Sequence, residues 1–599
     1  VEVTANEVHT ASETNQPGYT ASAWGGDCAA DGTITLNEGD VKTCTITNDD
    51  IAPTLKLVKV VVNDNGGNAV ADDWTLSASA AAPNDGRDFS NLGGSGAFET
   101  VFANAGYDIS ESTVPGYTAG AWTCDGGNLV GSTITLAEGE TSVTCTITNN
   151  DSAPALTLIK VVVNDNGGNA LPNDFNLTIG ANAATSGTAY TLQANTPYAI
   201  NETQLSGYTF VDITGDPECP AVLGGTVTLD EGENVTCTIT NDDIAPTLTL
   251  IKNVINDHGG NAQPDDFNLT IGGAAATSGT PYALSANTAY EINETLVSGY
   301  SFVNITGDPE CPAVLGGTVT LDEGENVTCT ITNDDQAATL IIIKHVVNDN
   351  GGTAEAGDFT LDSGGTDDSP DNFPGEEAPG TTVTLDAGAY NVTEAGPSGY
   401  SAAFSTDCSG TIANGETKTC TVTNDDIQPQ LIVIKHVIND NGGTATAAQF
   451  TMNVTGNNAT PASFAGNELG TDVALDAGSY SVTETGPDGY GPSFSADCSG
   501  TIAVGETKTC TITNNDISPP LTVVKVVVPG DDTGLFNVQI DGVTQAANVG
   551  DNGTTGPVAV NAGSHTVGET AGSDTSLSDY VTSISGDCSA DGTVGLGLP

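Results

Sequence analysis

From residue 54 onward, apolar and polar positions alternate in short runs separated by Gly, Asn, Asp and Pro, the period-two pattern of half-buried strands. Successive side chains of a strand point to opposite faces, so each run carries its own register. At 198–203, Tyr198, Ile200 and Glu202 share one face, and Ala199, Asn201 and Thr203 share the other. At 235–241, Val235, Cys237, Ile239 and Asn241 lie together, with Thr236, Thr238 and Thr240 opposite. The run at 156–162 sets Leu156, Leu158, Lys160 and Val162 against Thr157, Ile159 and Val161, and so is apolar on both sides. No apolar run with a 3.6-residue period interrupts this pattern. The fold class it predicts is all-β, and three polar residues, Lys160, Glu202 and Asn241, fall in phase with the core.

The same phrases return along the chain. LTLIKVVVNDNGGNA at 156–170 reappears as LTLIKNVINDHGGNA at 248–262, LIIIKHVVNDNGGTA at 340–354 and LIVIKHVINDNGGTA at 431–445. Its lysines are Lys59, Lys160, Lys252, Lys344, Lys435 and Lys525, spaced by 101, 92, 92, 91 and 90 residues. That is the size of an immunoglobulin-like sandwich, well above a solenoid repeat. A closing phrase, C-T-[IV]-T-N, ends each unit, and a short Pro-containing joint such as DDIAPTLTLI at 242–251 leads into the next. The expected organisation is five complete sandwiches at 54–153, 154–246, 247–338, 339–429 and 430–519. They are flanked by a back part at 1–53 and a front part at 520–599, which reads as a processed chain or a window on a longer array. Joints this short predict an extended rod rather than flexibly tethered beads.

Composition narrows the function classes. The 599 residues hold 77 Asp and Glu against 11 Lys and Arg, a net charge of −66. Such a field repels nucleic acid and anionic membrane, so neither is an expected partner. No apolar run reaches the length of a membrane span. Arg87 is the one arginine, and six of the ten lysines occupy the single repeat position above; the others are Lys42, Lys56, Lys418 and Lys508.

Isolated charges in a core cost several kcal/mol or lose their charge. A reaction removes the difficulty: a desolvated lysine amine is a nucleophile, an Asn amide carbon can be attacked, and a carboxyl can polarise the amide and carry protons while ammonia leaves. The alternative is a buried Lys–Glu ion pair with Asn as a hydrogen-bonding neighbour.

The opening Lys strand, the Y-x-[IV]-x-E-x-x-x-x-G-Y segment (YEINETLVSGY at 290–300, YNVTEAGPSGY at 390–400) and the closing [IV]-T-N strand resemble the CnaB or SpaA-type, prealbumin-like repeats of bacterial surface adhesins and pilins. The resemblance implies intramolecular Lys–Asn isopeptide bonds with a catalytic Glu. Carried over, the triads are Lys59/Glu111/Asn149, Lys160/Glu202/Asn241, Lys252/Glu294/Asn333, Lys344/Glu394/Asn424 and Lys435/Glu484/Asn514. Two features depart from the family pattern: the paired cysteines and the NDNGG turn. At the last repeat position the Glu569 segment also lacks the leading Tyr and reaches Tyr580 only after a longer loop.

Thirteen cysteines fall as one pair per unit: Cys28/Cys44, Cys124/Cys145, Cys219/Cys237, Cys311/Cys329, Cys408/Cys420 and Cys498/Cys510, with Cys588 left over. Even pairing in an extracellular setting reads as disulfides, and zinc is disfavoured by the missing CxxC spacing and the lack of partnering His. NDNGG with the following TNDD gathers oxygen ligands, so calcium at the joint competes with a plain turn; no other cofactor is implied. N-x-[ST] sequons such as Asn176 and Asn201 are frequent, as a Thr- and Asn-rich chain makes them. His345 and His436 point away from the lysine face.

These readings predict an extracellular or cell-surface structural stalk or filament that partners with itself. The rival is an adhesin whose domains bind a host or matrix ligand, for which the longer first repeat, with Trp74 and Trp122, is the best candidate. No constellation supports an enzyme acting on external substrates.

Overall fold

The computed structural model describes residues Val1–Pro599. It is built of strands and short 3-10 turns, with no α-helix, and no helix is long and apolar enough to cross a membrane. Two compact units are distinguished. The first contains 1–252, 268–295 and 304–331; the second contains 253–267, 296–303 and 332–599.

The second repeat, which lies in the first unit, shows the plan. Its opening strand Ala155–Val163 and closing strand Asn234–Asp243 run parallel at the centre of a four-stranded sheet, flanked by Ala189–Thr191 and Tyr208–Gly215. The facing sheet is ordered Asn182–Ala184, Leu177–Ile179, Tyr198–Glu202 and Thr226–Val227. Leu156, Leu158, Leu177, Ile179, Ile200, Val235 and Ile239 fill the space between them, each worth about 1.5–3 kcal/mol by removal from water. Turns that need a left-handed backbone use Gly or Asn: Gly167 has φ 89° and Asn195 has φ 56°.

In the second unit, the fourth and fifth repeats keep this central pair. Lys344 stands opposite Val422 and Lys435 opposite Ile512, as Lys160 stands opposite Ile239. The alternation read from the sequence therefore matches the observed faces. The second apolar face of the opening strand is not a second core, because Ile159 and Val161 lie exposed on the outer side of the sheet.

The flanking parts are smaller. In 1–53, Val8–Thr10 pairs with Thr33–Thr35 and Tyr19–Ala21 with Asn48–Asp50. In 520–599, Phe536–Ile540 sits in a four-stranded sheet with Val543–Val549, Gly563–Ala571 and Thr593–Leu596.

Candidate functional site

Each complete repeat turns a lysine into its core, with the side-chain amine within ion-pair distance of a glutamate. Lys59 Nζ lies 2.5 Å from Glu111 Oε2, Lys160 Nζ 3.1 Å from Glu202 Oε2 and Lys252 Nζ 2.9 Å from Glu294 Oε2. Lys344 Nζ lies 3.6 Å from Glu394 and Lys435 Nζ 3.1 Å from Glu484. All five lysine side chains are shut off from solvent. Period two makes this possible: Lys160 continues the inward row of Leu156 and Leu158, and Glu202 that of Ile200.

The asparagines arrive on the closing strand, in the first, second, fourth and fifth repeats two residues beyond the residue opposite the lysine. Asn149, Asn241, Asn333, Asn424 and Asn514 are all buried. In the second repeat Lys160 Nζ donates to Asn241 Oδ1 at 2.6 Å, while Asn241 Nδ2 is buried without an acceptor. In the first repeat Asn149 Nδ2 instead donates to Glu111 Oε1 at 2.7 Å, and the Oδ1 is the buried atom without a partner. An unsatisfied buried amide group costs about 1–3 kcal/mol, so this site holds polar atoms the fold has not satisfied.

Burial pushes all five lysine amines below their usual 10.5, against the opposing pull of the neighbouring glutamate. Aromatic rings supply much of that burial. Lys59 Nζ sits 4.4 Å from the Trp74 ring centroid, Lys160 4.3 Å from Phe175, Lys344 4.1 Å from Phe359 and Lys435 4.2 Å from Phe450. Each ring is stacked edge-on by a tyrosine, Tyr208 on Phe175 at 5.6 Å for example. The Tyr208 hydroxyl then donates to Asn164 Oδ1 and accepts from Ala170 N, tying the aromatic pair to the NDNGG turn. Sequence reasoning missed this lid. Its signal was a fixed interval: each aromatic follows its lysine by fifteen residues, as in Lys160 to Phe175 and Lys435 to Phe450. Trp74 holds that core position in the first repeat and is fully buried, so it is not the exposed recognition residue of an adhesin.

A lysine held below its unfolded value binds fewer protons folded than unfolded between its lowered value and 10.5, so stability rises with pH across that window. An Asn241→Ala chain keeps Lys160 as a free amine. Hydrogen exchange over 154–246 in that chain should slow as pH rises towards 10.5, after correction for intrinsic rates.

All six expected cysteine pairs are disulfides: Cys28–Cys44, Cys124–Cys145, Cys219–Cys237, Cys311–Cys329, Cys408–Cys420 and Cys498–Cys510. Cys588 is free. The loops they close span 12 to 21 residues, for which constraint of the unfolded chain gives about 3 kcal/mol each. The closing-strand members of the complete repeats are core residues as well, as the inward phase of Cys237 with Val235 and Ile239 implies. Cys145, Cys237, Cys329, Cys420 and Cys510 are all fully buried. Period two is the reason, since each stands four residues before its repeat's asparagine and so shares the inward row. Cys145 packs among Leu57 and Ile147 in the first repeat, and Cys420 among Ile342 and Val422 in the fourth.

The NDNGG turn is held by the last aspartate of the closing strand. Asp243 accepts from Asn166 N and Gly168 N at 3.0 and 2.6 Å, and the Asn166 side chain donates to the Asp243 main-chain oxygen. The turn's own carbonyls face the next repeat: Asn166 O accepts from Ala286 N at 2.6 Å, and Gly167 O from Asn287 Nδ2 at 3.1 Å. In the third repeat His258 replaces the turn's second Asn, and Asn414 of the following repeat donates to His258 O and Asp335 Oδ2 instead. The carboxylates considered for calcium do cluster, as Asp165, Asp242 and Asp243 show. Asp243 spends its oxygens on backbone N–H groups, which gives the motif a role as a turn and joint.

A profile of the prealbumin-like fold domain, of SpaA type, matches the chain five times, at residues 50–147, 151–239, 243–331, 335–425 and 426–515. The chain belongs to that family. The prealbumin-like repeats thus bear out the resemblance read from the Lys, Glu and Asn strands. Solved structures found similar to this chain include the Bacillus anthracis TIE protein (14% identity, 75% of this chain and 76% of that chain, TM-score 0.34). Another is a pair of B repeat units of the collagen binding protein of Staphylococcus aureus (13%, 63% and 99%, TM-score 0.14). A third is GBS52, the minor pilin of Streptococcus agalactiae (12%, 32% and 100%, TM-score 0.14). The comparison with curated protein sequences gives no match.

Proposed function

We propose that the chain is the shaft of an extracellular surface structure, a row of prealbumin-like repeats each locked by a Lys–Asn isopeptide bond and a disulfide. The observation that carries this reading is the placement of each lysine and asparagine on the two strands by which the chain enters and leaves a repeat. Lys160 and Asn241 are 81 residues apart in sequence and 2.6 Å apart in space.

The chemistry follows from the groups present. Transfer of a proton from the Lys160 ammonium to Glu202 leaves a neutral amine, which the lowered proton affinity of the buried lysine favours. The amine attacks Asn241 Cγ while the Glu202 carboxyl hydrogen-bonds the amide and stabilises the tetrahedral intermediate. Glu202 then passes the proton to the departing nitrogen and takes up the second proton that the attacking nitrogen sheds, so that ammonia leaves, a neutral secondary amide forms and Glu202 ends as a neutral acid, in place of a buried charge and an unsatisfied amide. The same three residues recur in the first, fourth and fifth repeats, and the third carries them in its sequence. The product neutralises the inward lysines, leaving an outer surface that is almost wholly acidic and therefore self-repelling and soluble.

A shaft must also keep its repeats in line, and the turn-to-loop hydrogen bonds from Asn166 and Gly167 support this. In small-angle scattering, a compact 599-residue particle would have a radius of gyration of about 25 Å. The shaft reading expects a value at least twice that, with a scattering profile characteristic of a rod. A value near the compact figure contradicts it.

A further inference from the structure

The joint between the fifth repeat and residues 520–599 uses the same main-chain contact as the others. Ala562 N donates to Asn441 O at 2.7 Å, as Ala194 N does to Asn65 O and Ala286 N to Asn166 O. Gly442, at φ 87°, approaches so closely that a Cβ there would collide with the Ala562 oxygen. In the second and third repeats the loop carrying the joint alanine is fastened by the tyrosine that begins the Glu segment. Tyr198 Oη accepts from Gln193 N at 3.1 Å and Tyr290 Oη from Ser285 N at 3.0 Å. Such bonds do not titrate near neutral pH. At 520–599 the tyrosine position is taken by His565, which is 8% exposed. His565 Nδ1 lies 2.6 Å from Asp541 Oδ2, and Nε2 meets the main-chain oxygen of Asn561, the residue before Ala562. A carboxylate and a carbonyl oxygen accept and do not donate, so both contacts are hydrogen bonds when the ring carries two protons. Asp541 is itself fixed at its turn, accepting from Thr566 N at 2.9 Å and donating its own N–H to Thr566 O.

We infer that His565 is a proton switch on this joint: with two protons the ring fastens the Ala562 loop, and with one it releases it. The neutral ring can keep its Nδ1–H on Asp541, but its Nε2 lone pair then faces the lone pairs of Asn561 O. That contact turns repulsive, and the loop moves away from the ring, taking Ala562 N off Asn441 O. Imidazole is the side chain whose charge changes between about pH 5 and 8, whereas the complete repeats hold Tyr107, Tyr198, Tyr290, Tyr390 and Tyr480 here. The hydrogen bonds to Asp541 and Asn561 hold the imidazole above its usual 6.5, against the effect of burial, and His565 lowers Asp541 in turn. The other charges nearby are engaged elsewhere. Val594 stands opposite His565 on one neighbouring strand, and Phe536–Ile540 on the other side carries no charged residue. Glu569 on the same strand pairs with Lys525, Asp591 accepts from Thr593, and across the joint Asp440 and Asp516 accept from Asn441. A ring held above its unfolded value keeps its proton in the closed joint where the open loop loses it. Closure is therefore favoured in full below 6.5, and that advantage falls as pH rises towards the raised value. The lysine chemistry plays no part in it.

The test follows hydrogen exchange of the full chain across neutral pH, corrected for intrinsic rates. Exchange of the Ala562 amide should quicken by up to about tenfold per pH unit above 6.5 and level off once the folded ring has lost its proton. The joint amides of Ala194, Ala286 and Ala477 should show no such rise. His565→Tyr should abolish the rise and leave the Ala562 amide protected throughout. Asp541→Asn, which removes the carboxylate but suits the same turn, should move the rise to lower pH. Protection of Ala562 that stays flat with pH in the unaltered chain overturns the switch, whether or not the variants fold. The same rise in the His565→Tyr chain, or an equal rise at Ala194, Ala286 and Ala477, overturns it as well.

Discussion

Pulled from its two ends in a single-molecule experiment, the chain is expected to stretch its joints and then resist, with no unfolding of the locked repeats. Tension enters the second repeat at its opening strand and leaves at its closing strand, and these two strands are parallel neighbours. Their hydrogen bonds are therefore loaded together in shear, and the proposed Lys160–Asn241 bond would sit directly in the load path. The 80 residues between those positions would carry no force while such a bond holds. Without it, and with the Cys219–Cys237 disulfide reduced, each repeat releases up to roughly 270 Å of contour at 3.3 Å per residue. Extension steps of that size in the reduced, unaltered chain contradict the account. The same steps, confined to one repeat, are expected of a chain carrying a single broken triad.

Glu202→Ala is the sharpest such lesion. It removes the proton carrier and leaves Lys160 buried beside Phe175 with no carboxylate. Loss of one partner from a buried pair costs about 3–5 kcal/mol, in addition to the covalent link that fails to form. Each triad makes its contacts within its own repeat, so the effect should be local. Mass analysis should show one ammonia retained, and hydrogen exchange should accelerate over 154–246 while the first, fourth and fifth repeats keep their protection. Retention of every ammonia would show that Glu202 acts beyond its own repeat, and loss of all five would show that the bond forms without it.

Much of this site was legible from residues 156–162, 198–203 and 235–241, because strand alternation converts sequence directly into faces. Lys160 had to share the side of Leu158, and Glu202 the side of Ile200. Repetition then separated signal from chance, since a chain poor in lysine places six at one phase. The cysteine pairs were equally readable, each joining short-range segments of one repeat. The aromatic lid was harder: Phe175 reaches Lys160 only once the intervening turn has folded back, and alternation within either segment says nothing of that approach. The work of NDNGG was hidden for a related reason. Gly167 meets Asn287 across 120 residues, and the partner loop carries no motif beyond an asparagine in a left-handed conformation. The exposure of Ile159 and Val161 was also beyond the pattern, because an apolar strand face looks the same whether a second layer covers it or solvent does.

Intact-mass spectrometry of the fully reduced chain tests the central claim most directly. Reduction restores the hydrogens of every disulfide, so any remaining deficit belongs to other chemistry. The account predicts a mass lower than the sequence mass by five ammonias, one for each of the triads from Lys59/Glu111/Asn149 to Lys435/Glu484/Asn514. A mass equal to that of the unmodified sequence would mean that the five lysines remain free amines, and that these sites are buried ion pairs with no covalent lock.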